Sequence, residues 1–151
     1  AALVEPAAVG MHAAILGEAR LGKSIVILGA GTIGLMVLQA CKSLGATDIT
    51  VVDVMDKRLD LAKELGASRT INGAKEDTVA LLRSEELFGD HGVELVFECA
   101  GSTFTANQAV QIVARGGKIM MVGTQSKPVP IDFLKINREV TIQTSFRYCN
   151  N

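Results

Sequence analysis

Ile25-Val26-Ile27-Leu28-Gly29-Ala30-Gly31-Thr32-Ile33-Gly34 is an apolar run that passes directly into three glycines spaced two and three apart. The next apolar run, Ile49-Thr50-Val51-Val52, closes on Asp53, nineteen residues past Gly34. Each part of this pattern has a separate physical task. Gly29 lets a strand bend sharply into a helix, and Gly31 lets a pyrophosphate approach the backbone. Gly34 allows that helix to pack closely on its strand, while the Asp53 carboxylate accepts hydrogen bonds from ribose hydroxyls. A bare Gly-x-Gly-x-x-Gly is weak. Preceded by a strand, followed by a helix and completed by Asp53, it points to a dinucleotide site.

Working outward, strand and helix signals alternate. Apolar runs predict strands over Ser24–Leu28, Asp48–Val52, Arg69–Ile71, Glu94–Glu98, Lys118–Val122 and Val140–Ser145. Helical periodicity predicts helices over Pro6–Glu18, Thr32–Leu44, Lys57–Leu65, Asp77–Leu87 and Thr103–Ala114. Such alternation implies an α/β fold with a parallel sheet, and the unbroken apolar strands imply helices covering both of its faces. Six strands in two halves predict a doubly wound sheet ordered 3-2-1-4-5-6, the Rossmann arrangement. Ile33, Val37, Cys41 and Leu44 form one apolar stripe on the second helix. That helix and the next both end in Leu-Gly-Ala (44–46 and 65–67), where glycine can take a left-handed stop. Ligands on such sheets bind beyond the carboxyl ends of the strands where the two halves meet. This gathers Gly29–Gly34, Asp53, Cys99–Ser102 and Gly123–Gln125 around one crevice.

Composition narrows the classes. A chain of 151 residues suits one domain spanning 1–151, and six aromatics leave the core to aliphatic side chains. A net charge of -1 without a basic stretch argues against nucleic acid. The charge-free stretch Ser24–Cys41 is 18 residues long, but its glycines, Thr32 and Gln39 divide it into a strand and a helix, so no membrane span is expected. No basic start with a cleavage pattern suggests a signal peptide. Three dispersed cysteines make no disulfide framework and fit a reducing, cytoplasmic compartment.

Several residues have competing readings. Asp53 can cap the following helix, but its place at a strand end favours ribose recognition. A carboxylate there repels a 2′-phosphate, so NAD is expected over NADP. Arg58, which can accommodate a phosphate, is assigned to packing on adenine or bridging the ribose side, with a solvated helix arginine as the competing reading. The start of the helix at Thr32 supplies free N–H groups and a positive dipole end, so no lysine is needed for the pyrophosphate. Gly22-Lys23-Ser24 spells part of a triphosphate loop but precedes a strand instead of following one. His12, His91, Cys41, Cys99 and Cys149 lack metal-ligand spacing, and Cys99 reads as a small buried apolar residue.

Together, Val4-Glu5-Pro6, the glycine turn, Val52-Asp53, Lys63-Glu64-Leu65-Gly66-Ala67 and Phe97-Glu98-Cys99-Ala100-Gly101 resemble the zinc-dependent medium-chain dehydrogenases. Phe146-Arg147-Tyr148-Cys149-Asn150 is similar to their polyol branch, the sorbitol dehydrogenases. The resemblance covers essentially the whole chain but only the coenzyme domain of the family. The catalytic zinc domain, with its Gly-His-Glu segment and four-cysteine loop, is expected to be absent, leaving the chain inactive by itself. The resemblance implies NAD as coenzyme, zinc in the full-length enzyme, an alcohol or polyol as substrate, and a homo-oligomer (dimer or tetramer) formed by pairing sheet edges near Val140–Ser145. It implies cofactor contacts at Gly29, Gly31, Thr32, Ile33, Gly34, Asp53 and Arg58, and again at Val122, Gly123, Thr124, Ser145, Phe146 and Arg147. Arg147 and Tyr148 match polyol-hydroxyl contacts, and Glu5 matches an acidic position near the zinc. Two other classes share parts of the pattern. A regulatory nucleotide-sensing module would carry the glycine turn and Asp53 without the Glu-Pro and Phe-Arg-Tyr flanks, and a methyltransferase also places an acid after its second strand.

Overall fold

The computed structural model describes residues 2–136 and 138–148. Its elements alternate: α1 (Val4–Leu16), β1 (Ser24–Leu28), α2 (Thr32–Ser43), β2 (Asp48–Asp53), α3 (Asp56–Glu64), β3 (Arg69–Asn72), α4 (Thr78–Leu82), β4 (Val93–Glu98), α5 (Thr103–Ile112), β5 (Val113–Met121), α6 (Phe133–Ile136) and β6 (Thr141–Thr144). The six strands form one parallel sheet ordered β3-β2-β1-β4-β5-β6. This is the expected doubly wound Rossmann sheet. β1 and β4 meet at its centre, where the chain order switches, with Leu28 opposite Glu98.

Strand pleating divides the core between two faces. Ile25, Ile27, Ile49, Val51, Leu95 and Phe97 pack with α2 and α3 residues such as Val37, Cys41 and Leu59. Val26, Leu28, Val52, Val96 and Ile119 turn the other way, onto Leu82, Ala109 and Ile112. Every position of β1 after Ser24 is buried, which is why its sequence shows no polar alternation.

Helix α2 is buried more widely than one stripe, because α1 crosses its outer side. A side chain at Gly10 of α1 would collide with the Met36 backbone at 2.7 Å. Leu35 and Leu38 therefore join Val37 and Cys41 inside, while Leu44, expected in the stripe, is the cap residue and exposed. Both Leu-Gly-Ala stops form as expected, with Gly45 at φ 89° and Gly66 at φ 96°. Ala46 N–H returns to the Cys41 carbonyl and Ala67 N–H to the Ala62 carbonyl, closing both helix ends.

Most boundaries shift by one or two residues from the sequence expectation, and three of the differences have a cause in the fold. The predicted helix Asp77–Leu87 stops at Leu82, and residues beyond it form turns. The predicted helix Thr103–Ala114 stops at Ile112, because Val113 turns extended (ψ 141°) and pairs with Val93. The fifth strand thus runs Val113–Met121 with a register shift, instead of Lys118–Val122. No helix among the described residues is long and apolar enough to cross a membrane.

Candidate functional site

A cleft of about 430 Å³ opens at the carboxyl ends of β1, β2 and β4. Leu28, Gly29 and Gly31 form its floor; Val52, Asp53, Val54 and Arg58 form one wall, and Cys99, Ala100, Ser102, Phe104 and Thr105 the other. The sheet's switch point holds these walls apart, since the chain leaves β1 toward one face and β4 toward the other.

The glycine turn owes its shape to close contacts. Gly29 lies at φ 104°, and a side chain there would meet the Ala100 N–H at 2.9 Å. A side chain at Gly34 would run into the Gly29 carbonyl. Gly31 differs: a Cβ there would meet nothing within 4 Å and would project into open space of the cleft. Gly31 also caps α2 without offering a side-chain acceptor. The first-turn N–H groups at Thr32, Ile33 and Gly34 precede the first α2 backbone bond, from Leu35 N–H to the Gly31 carbonyl. They are left for an anion, in the field of the helix dipole. The residues present thus fit a pyrophosphate.

Asp53, buried at the end of β2, does not cap α3, whose cap residue is Met55. Its Oδ1 accepts from Val54 N–H (2.8 Å) and Met55 N–H (3.0 Å), and its Oδ2 accepts from Ala30 N–H at 2.7 Å. The carboxylate therefore ties the glycine turn to the turn after β2. About four lone-pair sites on a carboxylate leave capacity for a ligand after these three bonds. Arg58 Nη1 stands 3.6 Å from Oδ2, half-exposed at the mouth.

Other expected residues lie elsewhere. Val122, Gly123 and Thr124 follow β5 outside the cleft wall, with Gly123 and Thr124 against Gly101. Ser145 is buried after β6; its N–H donates to the Met121 carbonyl, and its hydroxyl has no partner among the described residues. Phe146, Arg147 and Tyr148 are exposed, with the Arg147 guanidinium 5.3 Å from the Phe146 ring centre. Cys149 and Asn150 lie outside the described residues. Cys99 is only partly buried and lines the cleft, unlike the buried apolar filler expected. Burial and neighbouring Glu98 push its thiol pKa upward, so it is no ready nucleophile. Glu5 is exposed on α1, and no group of three His, Cys, Asp or Glu among the described residues is arranged to hold a metal. These residues do not fit a zinc site.

Sequence reading missed several wall residues, among them Val54, Gly73, Phe104 and Gln108. Val54 and Phe104 are strongly exposed (63% and 68%) on opposite walls of a largely apolar cleft, a signal visible only once the walls are assembled. Also missed was Glu98, wholly buried at the end of β4.

The sequence profile of the zinc-binding dehydrogenases matches residues 32–151. The chain belongs to the zinc-binding dehydrogenase family. It is 64% identical to an uncharacterized zinc-type alcohol dehydrogenase-like protein YdjJ of Escherichia coli, covering 99% of this chain and 42% of that protein. Sorbitol dehydrogenase of Bacillus subtilis is 39% identical over 99% of this chain, again with 42% of its own length covered. A zinc-binding dehydrogenase solved from Sinorhizobium meliloti bound to NADP superposes with a TM-score of 0.87 at 30% identity, covering 95% of this chain and 43% of that one. The chain thus spans less than half the length of these zinc-binding dehydrogenases.

Proposed function

We propose that this chain is the coenzyme-binding part of an NAD-dependent, zinc-containing alcohol or polyol dehydrogenase. The observation that carries this reading is the single cleft shared by Gly29, Gly31 and Asp53, with Gly31 open to it beside the first turn of α2. In this reading the adenosine ribose lies at Asp53, the pyrophosphate crosses Gly31 to the N–H groups of Thr32 and Ile33, and the nicotinamide half lies toward β4–β6. Once bound, NAD supplies the ring carbon that accepts a hydride from the alcohol. The chain's own contribution is to fix that ring's position and exclude water around it. Zinc and its ligands belong to other parts of the enzyme, with Glu5 approaching the metal from this side. Arg147 and Tyr148 can each hydrogen-bond a polyol hydroxyl, and sorbitol dehydrogenase among the relatives supports that substrate class. We further assign the protein to the cytoplasm as a homo-oligomer paired through the β6 edge.

NADP is the second reading, favoured by the NADP-bound relative and by Arg58 standing near Asp53. A 2′-phosphate at this place would gain Arg58 but approach the Asp53 carboxylate. Asp53 is the more buried and is held by three backbone bonds, so repulsion cannot be relieved by its swinging away. Titration is expected to show NAD binding at least about tenfold tighter than NADP, equivalent to about 1.4 kcal/mol. Asp53→Gly should weaken NAD and narrow that ratio. NADP binding as tightly as NAD to the native chain would overturn the NAD assignment.

A further inference from the structure

We propose that Glu98 and Gln125 form a strut that positions the nicotinamide end of the crevice, making Gln125 a positioning residue although it lies outside the cleft wall. The inference rests on the coenzyme reading above. Glu98 is wholly buried, and every group that touches its carboxylate is a donor. Oε1 accepts from Ala100 N–H (3.0 Å), Gly101 N–H (2.9 Å) and the Thr105 hydroxyl (2.7 Å). Oε2 accepts from the Gln125 amide at 2.9 Å. No Lys, Arg or His pairs with it among the described residues. A carboxylate is costly to bury, and neutral donors must offset that cost. An apolar side chain at this position would fill the same space without it.

What the carboxylate provides is a link between loops from different crossovers. Its Oε1 shapes the turn 99–102, which supplies Cys99, Ala100 and Ser102 to the cleft. Its Oε2 reaches the loop after β5. The two loops already touch through backbone: a Cβ on Gly101 would sit 2.6 Å from the Thr124 carbonyl, and one on Gly123 would overlap the Gly101 nitrogen. Glu98 also receives Val122 N–H and Gly123 N–H on its own carbonyl. Of the side-chain bonds described, the one from Gln125 is the sole tie that fixes residues 123–125 against the turn. If it is released, residues 123–125 are free to shift against the turn 99–102, which the Oε1 bonds still hold beside Gly29. The Asp53 wall, anchored separately to Ala30, stays where it is.

The strut therefore separates the two halves of a dinucleotide. Gln125→Leu, at a partly exposed loop position, should keep the fold by circular dichroism and weaken NAD by about tenfold, the scale of one hydrogen bond to a charged group. ADP-ribose, which lacks the nicotinamide ring, should bind as to the native chain. Gln125→Glu sets two carboxylates against each other and should weaken NAD further. The exchange Glu98→Gln/Gln125→Glu restores donor to acceptor across the gap, with the amide of the new residue 98 donating to residue 125, and should recover most of the affinity. Equal loss for both ligands, no loss for either, or failure of the exchange to recover NAD binding would overturn the strut. If the native chain bound neither NAD nor ADP-ribose, the coenzyme reading itself would fall and the strut with it.

Discussion

Two carboxylates flank the end of β1: Asp53 on β2 accepts three backbone N–H groups, and Glu98 on β4 accepts two, with the Thr105 hydroxyl and the Gln125 amide completing its set. Thr50, by contrast, is a buried polar side chain with nothing to do. It is fully buried in β2, beside Val26 of β1, and its hydroxyl has no partner among the described residues. A buried hydroxyl without a partner costs stability, and valine has the same shape without it. Thr50→Val is expected to stabilise the chain by about 1 kcal/mol, seen as a rise of about 2–4 °C in thermal midpoint. A fall would mean that the hydroxyl finds a partner, such as an ordered water.

Among the elements, the segment that follows α4 is held by a single side chain. Arg83, the α4 cap residue, directs Nε to the Gln111 carbonyl (3.0 Å) and Nη1 to the Asp90 carbonyl (3.1 Å), with Gly89 and Val113 carbonyls each at 3.4 Å. One planar fork thereby holds the turns after α4 against the end of α5 and the start of β5. Arg83→Met should cost about 2 kcal/mol, as several carbonyls lose their donor together, and lower the urea midpoint at unchanged slope. Arg83→Lys should recover only part, because an ammonium lacks the fork. This contact also explains why the helix predicted over Asp77–Leu87 is too long. Ser84-Glu85-Glu86-Leu87-Phe88 is compatible with a helix locally, and what ends α4 lies near Gln111, outside any local window. The glycine turn, the Leu-Gly-Ala stops and the strand order were legible because each follows from neighbours in sequence and from apolar runs. Glu98 and Gln125 were not, since their bond joins loops 27 residues apart. Phe104 falls inside a helix already expected over Thr103–Ala114, and only the assembled fold shows that it is exposed on the cleft wall.

At the scale of the whole molecule, Cys41 reports on cooperative unfolding. It is wholly buried between α2 and the sheet, and burial pushes its thiol pKa up to about 12. At pH 8 it is a protonated, enclosed thiol, so alkylation requires the core to open. Iodoacetamide should leave Cys41 untouched in the native chain and modify it readily in urea, read by peptide mass spectrometry. NAD at 100 times its Kd should slow that labelling by about 100-fold if it binds only the native state. No slowing would count against coenzyme binding without any appeal to turnover.

The β1–β4 junction has a kinetic meaning as well. These neighbours in space are remote in the chain, with Ser24 and Glu94 bonded across 70 residues, whereas β1 with β2 and β2 with β3 are successive units. Among the strand pairs this one closes the longest loop and carries the largest entropic cost, so it belongs to a later stage than the successive units. The cleft exists only where that junction has closed. A chain with its first three strands paired already owns the glycine turn and Asp53, yet has half a pocket, and the ability to hold a ligand arrives only when the two halves of the sheet join.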